Sequence, residues 1–566
     1  MGTRMTRIKR IDADLFVRKL KSASIRRIRV IRAPIVVALV KQRKRSLCKI
    51  CENLWPTNQR RRRQKKPPPH HSPPILRQIR HFSAPLVYKH HKLQQFSLHF
   101  PLINAYRHMN WKSIAVFSVI LLSIQSLLFA QSTPPPQADP RLYTIANAAS
   151  PQRLEADIRK LVGFGTRNTF SDTVSTTRGI GAARRWIKSE FEKISAACNS
   201  CLEIKTQSEF LKGGSNPRIT QDVTVVNILA IQRGSRYPNR YVIMSGDIDS
   251  RVSNASDATK DSPGANDNGT GMAGAIEAAR VLSKYKFPVS IIYVGLSGEE
   301  QGLWGGQYMA KVAKAEGWDI VGVLNNDMIG NIEGINGEIE NTTFRVFSEP
   351  TPPTEDERER TWRRVYGGEV DGPSRQLARY IDRMTEQYCT NLDAIMIYRL
   401  DRFGRGGHHK PFNDVGFPGV RIMETHEQYQ RQHQDLRTED GIKYGDVIEG
   451  VNFPYAAKLT GVNMMVMAAL ASAPPEPKNV QIGGIVLPST RLKWDAVADP
   501  DLVGYKLYWR ETTAAQWQHS RFVDKSVTDF TLENIIIDNY LFGVASVGKD
   551  GNESLIVYPT TLIARR

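Results

Sequence analysis

Apolar positions recur along the middle of the chain in two textures. Ser150 followed by Pro151 forms a cap and a proline-led first turn, and Leu154, Ile158 and Leu161 follow at helical spacing. A second stripe, Ala183, Trp186, Ile187, Phe191 and Ile194, predicts a helix over 181–194. Short, nearly continuous apolar runs at 223–231, 241–245, 289–296, 320–324, 344–347 and 419–423 predict buried strands. Between the second and third of these, Met272, Ile276, Ala279 and Leu282 predict a helix over 271–283. Strands without a polar face, alternating with amphipathic helices, predict an α/β fold. The expected domain, 131–473, is a three-layer αβα unit with a mixed sheet.

At 474–477 the run PPEP marks a linker, set at 474–479. Beyond it, strand-like runs at 492–494, 505–509 and 540–547 alternate with turn residues and show no helical period. This predicts a small all-β sandwich over 480–566. With Trp494 as an early core tryptophan and Tyr540 as a late-strand tyrosine, the stretch resembles a fibronectin type III domain. That resemblance implies a binding, spacing or stabilising role.

Composition, 41% apolar and 24% charged, excludes collagen-like, wholly disordered and polytopic membrane chains. The formal charge of +22 suggests a nucleic-acid binder until its placement is considered. Of the 78 Lys+Arg, 27 lie in 1–108, against only Asp12, Asp14 and Glu52 among the acids. The basicity is that of a disordered tail, so no nucleic-acid partner is expected for the body. Cys48 and Cys51 in the tail lack a second pair with which to hold zinc. Over 109–130, Met109 and Lys112 precede an apolar run ending at Ala130, the pattern of a secretory signal peptide. Two readings stay open: Met109 is the true start, or 114–130 persists as a membrane anchor with its basic flank inside. Both export the body to the periplasm, the medium or the cell surface. In an exported chain Cys198 and Cys201 predict a tight disulfide, and Cys389 a free thiol.

Six polar stretches fall at or soon after predicted strands, where α/β sheets place ligands: SGDIDS (245–250), PGANDNGTG (263–271), SGEEQG (297–302), NNDMIG (325–330), GGHHKPF (406–412) and YQRQHQD (429–435). Singly, each has a plain structural meaning: a helix cap, a solvated acidic loop, a hydrogen-bonded histidine. Together they supply what two neighbouring metal ions require. One carboxylate bridges, each ion has further ligands, and a separate carboxylate acts on water. Consecutive glutamates after a strand divide this work, one ligating while the next serves as general base.

With GFGTR (163–167), PGANDNGTG, SGEEQGLWG (297–305), HHKPF (408–412) and YQRQHQD in this order, residues 140–471 resemble the secreted co-catalytic zinc exopeptidases. These include bacterial leucyl-type aminopeptidases, with glutamate carboxypeptidases and glutaminyl cyclases as relatives. The resemblance implies two divalent metal ions, zinc first. Asp267 would bridge them, Glu300 and His433 would complete one ion, and Asp327 would serve the other. Glu299 would be the general acid/base, Asp249 would orient the first ligand, and His409 would support the site wall. Two positions depart: Asp247 stands where the family has a histidine ligand, and His408 where it often has an aspartate. With Asp247 as a ligand, one ion has the oxygen donors Asp247, Asp267 and Asp327, which admits manganese, magnesium or calcium. Without it, that site is weak or empty and only Asp267, Glu300 and His433 bind. The implied activity is release of N-terminal residues from peptide substrates, the acidic groups suiting a substrate ammonium. The alternatives are a single-zinc glutaminyl cyclase and a non-catalytic exported binding protein. Glu299 speaks against the latter, because a binding scaffold has no use for a base.

Overall fold

The computed structural model describes residues 138–564; the basic stretch, the 109–130 segment and Cys48 and Cys51 lie outside the described residues. The first two helices are α1 (Pro140–Ala146) and α2 (Pro151–Val162), the latter capped by Ser150, whose hydroxyl accepts from the Arg153 N–H at 3.3 Å. Next come α3 (Gly179–Ala197), β1 (Leu202–Leu211), β2 (Val223–Gln232), β3 (Tyr237–Asp247), α4 (Gly269–Leu282) and β4 (Val289–Leu296). They are followed by α5 (Trp304–Ala315), β5 (Asp319–Asn326), β6 (Thr343–Ser348), α6 (Glu357–Tyr366), α7 (Pro373–Tyr388) and β7 (Asp393–Ile397). The unit closes with α8 (His409–Asp414), β8 (Gly419–Glu424), a short hairpin of β9 (Arg437–Glu439) and β10 (Ile442–Tyr444), and α9 (Phe453–Ser472).

Eight strands form one mixed sheet in the order β1-β2-β4-β3-β5-β8-β6-β7. The four central strands β4, β3, β5 and β8 are parallel, while β2 and β6 flank them antiparallel. Alternation along β3 shows why both faces need cover. Val242 and Met244 point into the core under α3, α4, α7 and α9, whereas Tyr241 and Ile243 point into the core under α5 and α8. The long helix α9 packs on α1, α2, α4 and α7 as well as β3 and β4, and 16 of its 20 residues are buried. It is apolar nearly all round, as its surroundings demand. Among the described residues no helix is long and apolar enough to cross a membrane. Cys198 and Cys201 are joined as a disulfide, and Cys389 is a partly buried thiol.

The C-terminal part is a two-sheet sandwich. One sheet runs β15 (Asp529–Leu532), β12 (Thr490–Lys493), β11 (Gln481–Gly483), β17 (Thr561–Leu562), and the other β14 (His519–Asp524), β13 (Leu502–Glu511), β16 (Tyr540–Gly548). Trp494 is buried against Tyr505 in an edge-to-face contact with centroids 5.2 Å apart. The sandwich docks on the α/β unit through buried charge. Asp371, fully buried, takes Arg379 of α7 at 2.7 Å and Arg510 of β13 at 2.8 Å. Nearby, Trp517 Nε1 donates to Gln376 at 3.1 Å, and Arg383 pairs with Glu553 at 2.8 Å. The linker is pinned too, through Glu476 and Arg240.

Candidate metal centre

The C-terminal ends of the parallel strands β3, β4 and β5 deliver Asp247, then Glu299 and Glu300, then Asp327 to one edge of the sheet. Asp267 arrives just ahead of α4. Its neighbour Asn268 is the cap, accepting from the Gly271 N–H at 3.0 Å, so this segment is both a helix start and part of the site. Arg167, fully buried, braces the approach by donating to the carbonyls of Ile248 and Gly264 at 2.9 Å. His433 comes from the loop after β8 with a left-handed backbone, φ 56, an uncommon conformation for a non-glycine residue.

Three of these side chains converge. His433 Nε2 lies 2.9 Å from Asp267 Oδ2 and 3.2 Å from Glu300 Oε1. One ligand atom from each of Asp267, Glu300 and His433 falls within 4.8 Å of the others, the only such group of metal-ligating side chains among the described residues. An imidazole and two carboxylates suit zinc. Burial would make His433 less basic, but Glu300 and Asp267 outweigh it and raise its pKa to about 10, so the pocket between them favours a cation.

The trio is held from behind. Asp249 accepts from the Glu299 N–H at 3.2 Å and the Glu300 N–H at 3.0 Å, fixing the turn that carries both glutamates rather than the residue at 247. Asp446 accepts from the Asp267 N–H at 2.7 Å and the Asn266 N–H at 2.9 Å. Gln432 donates to Asp267 Oδ2 at 3.3 Å. Glu299 is half-buried beside the trio. Desolvation, and after it the charge of Glu300, raises its pKa well above the usual carboxylate range, the direction a proton-transfer group needs.

Asp247 and Asp327 lie outside the trio. Asp247 Oδ1 shares a proton with His408 Nδ1 at 2.5 Å, and its Oδ2 accepts from Asn268 at 2.6 Å. Burial lowers the His408 pKa to about 4. The far edge of the imidazole packs against α5, where a Cβ on Gly306 would meet His408 Cδ2 at 2.6 Å. Asp327 Oδ2 lies 2.7 Å from Nη2 of the fully buried Arg421. His409 is fully buried and bonds the Leu400 carbonyl through Nε2 at 2.8 Å, as a wall residue does.

A cavity of about 420 Å³ opens onto Asp267, Glu299, Glu300, Asp327 and His433, with Arg218, Arg251, Arg402, Arg405 and Lys410 also lining it. The 348–372 segment contributes nothing to this lining; its helix α6 packs on the sandwich through Trp362. Sequence reading passed over Asp446, Asp401, Arg402 and Arg421. Arg421 had a signal: a guanidinium in the middle of an apolar central strand needs a buried anionic partner.

A parallel-centred α/β sheet with carboxylates at its strand ends, an imidazole from the following loop and a half-buried glutamate beside them defines a metal-dependent hydrolase. Residues 227–448 match the model of peptidase family M28, and the chain belongs to that family. It is 40% identical over 428 residues to a probable zinc metalloprotease of Pyrenophora tritici-repentis, covering 75% of this chain and 88% of that protein. A probable zinc metalloprotease of Leptosphaeria maculans is 40% identical over 425 residues, covering 75% and 98%. Among solved structures, the Legionella pneumophila LapA aminopeptidase aligns at 17% identity and TM-score 0.42, over 60% of this chain and 75% of its own. The Porphyromonas gingivalis glutaminyl cyclase aligns at 16% identity and TM-score 0.39, over 56% and 98%. The protein is a zinc metallopeptidase.

Proposed function

We propose that the protein is an exported aminopeptidase that draws a peptide's free N-terminus into the 420 Å³ cavity and releases the first residue. The observation that carries this reading is Glu299, a half-buried carboxylate lining the cavity beside the convergent Asp267, Glu300 and His433. A zinc ion held by those three supplies, when bound, the Lewis acidity that polarises a peptide carbonyl and makes water nucleophilic. Glu299 accepts the proton of the attacking water on its carboxylate and returns it to the departing amine nitrogen. Asp249 keeps Glu299 and Glu300 in register by holding both backbone N–H groups. A cavity of this size takes one end of a peptide rather than an extended segment. Its four carboxylates, Asp267, Glu299, Glu300 and Asp327, suit a substrate ammonium. Action outside the cytoplasm is supported by the signal-like 109–130 pattern and the Cys198–Cys201 disulfide.

A second reading, carboxypeptidase action, is favoured by Arg218 and Arg251 in the cavity lining, which suit a substrate carboxylate. Peptides with free or acetylated N-termini, each with a free or amidated C-terminus, separate the two. Release from free-amine, amidated peptides and none from acetylated ones supports the aminopeptidase; the reverse pattern overturns it. Pyroglutamate from N-terminal glutaminyl peptides without amino-acid release would point to the cyclase instead.

A further inference from the structure

We infer that the centre holds a single metal ion and that the guanidinium of Arg421 stands in for the second cation; this rests on reading Asp267, Glu300 and His433 as the zinc ligands. A second ion bridged by Asp267 would need oxygens from Asp247 and Asp327. Both oxygens of Asp247 are committed, Oδ1 to His408 at 2.5 Å and Oδ2 to Asn268 at 2.6 Å. His408 does not replace it as a ligand. Its Nδ1 faces Asp247, its Nε2 has no hydrogen-bond partner among the described residues, and neither nitrogen belongs to a cluster of metal-ligating side chains there.

Asp327 faces a cation built into the chain. Arg421 sits in β8 opposite Asn325 of β5, and its side chain is fully buried. Nη1 is anchored by Asp401, with both oxygens at 3.2 Å, and by the Gly406 carbonyl at 3.0 Å, so the group cannot swing aside. Its Nη2 lies 2.7 Å from Asp327 Oδ2 although neither Nη2 nor Nε has an aligned hydrogen-bond acceptor among the described residues. This is a contact of charge with charge more than a directed hydrogen bond. A zinc ion on that oxygen, at a bond length of about 2 Å, would lie within about 5 Å of a fixed guanidinium. A buried carboxylate needs a compensating charge, and Arg421 already provides it, with Arg402 at 4.0 Å as a further contributor. Asp247 and His408 fit the same account. Their mutual hydrogen bond closes the space in which a second ion would gain its terminal ligand.

Metal content tests this directly. After dialysis against zinc-buffered solution, elemental analysis of the whole chain is expected to give one zinc, and anomalous scattering at the zinc edge one peak, between Asp267, Glu300 and His433. Asp247→Asn and Asp327→Asn are expected to keep one zinc per chain. Arg421→Gln, which removes the charge, is expected to admit a second equivalent, whereas Arg421→Lys is not. Two zinc ions in the unaltered protein, or loss of zinc from Asp327→Asn, would overturn the inference whether or not the Arg421 variants fold. Retention of zinc by His433→Ala would instead overturn the ligand assignment beneath it.

Discussion

At the scale of single residues the site is a division of labour among carboxylates of similar chemistry. Glu299 and Glu300 are adjacent, yet Glu300 meets His433 at 3.2 Å while Glu299 lines the cavity with its pKa raised by burial. Glu299→Gln should lower kcat by about 10²–10⁴-fold, the scale of a lost general base, and leave zinc content unchanged. Elemental analysis beside steady-state kinetics checks both halves. Asp247 and His408 make a related point about what a sequence displays. In the sequence they stand 161 residues apart with nothing to connect them, and only in space do they prove to be partners, hydrogen-bonded at 2.5 Å.

At the scale of elements, parallel strands bring the ligands to one edge and short loops hold them. Asp249 is the best placed of the supports, because it fixes two consecutive N–H groups of the turn after β4. Asp249→Ala leaves both donors without their acceptor and should cost about 10–100-fold in zinc affinity or activity, measurable by competition with a chelator. The same scale explains what was legible. Strands β2, β3, β4, β5, β6 and β8 appear at or within a few residues of the apolar runs, because a sheet covered on both faces leaves continuous apolar stretches. The motifs at their ends made Asp267, Glu299, Glu300 and His433 conspicuous. Strand β1 was missed: it is an edge strand with exposed charges, whose pattern resembles a loop. Helix α9 was missed for the opposite reason, since burial on nearly every side removes the one-sided stripe that announces a helix. Arg421 escaped notice because its partners, Asp327 and Asp401, lie 94 and 20 residues away in sequence.

At the scale of the whole molecule, the sandwich is part of the enzyme's body. Asp371 is shared by two buried arginines, one from the α/β part and one from the sandwich. Asp371→Ala strands both guanidiniums and should destabilise the protein by about 3–5 kcal/mol in denaturant unfolding. The contact is also acid-sensitive. Burial alone would raise the Glu553 pKa, but Arg383, Lys506 and the Tyr508 hydroxyl hold it down at about 2. A carboxylate depressed in this way stabilises the fold fully above its ordinary pKa, and that contribution is lost as pH falls from about 4.5 towards 2. Glu553→Gln should therefore flatten the loss of thermal stability across that window, as followed by calorimetry. The central claim is that one cation held by Asp267, Glu300 and His433 makes this chain a peptidase. Zinc titrated into metal-depleted protein, with release of amino acid followed at each step, tests it most directly. The account predicts no release before zinc and full release at one equivalent per chain; undiminished release from the depleted protein would contradict it.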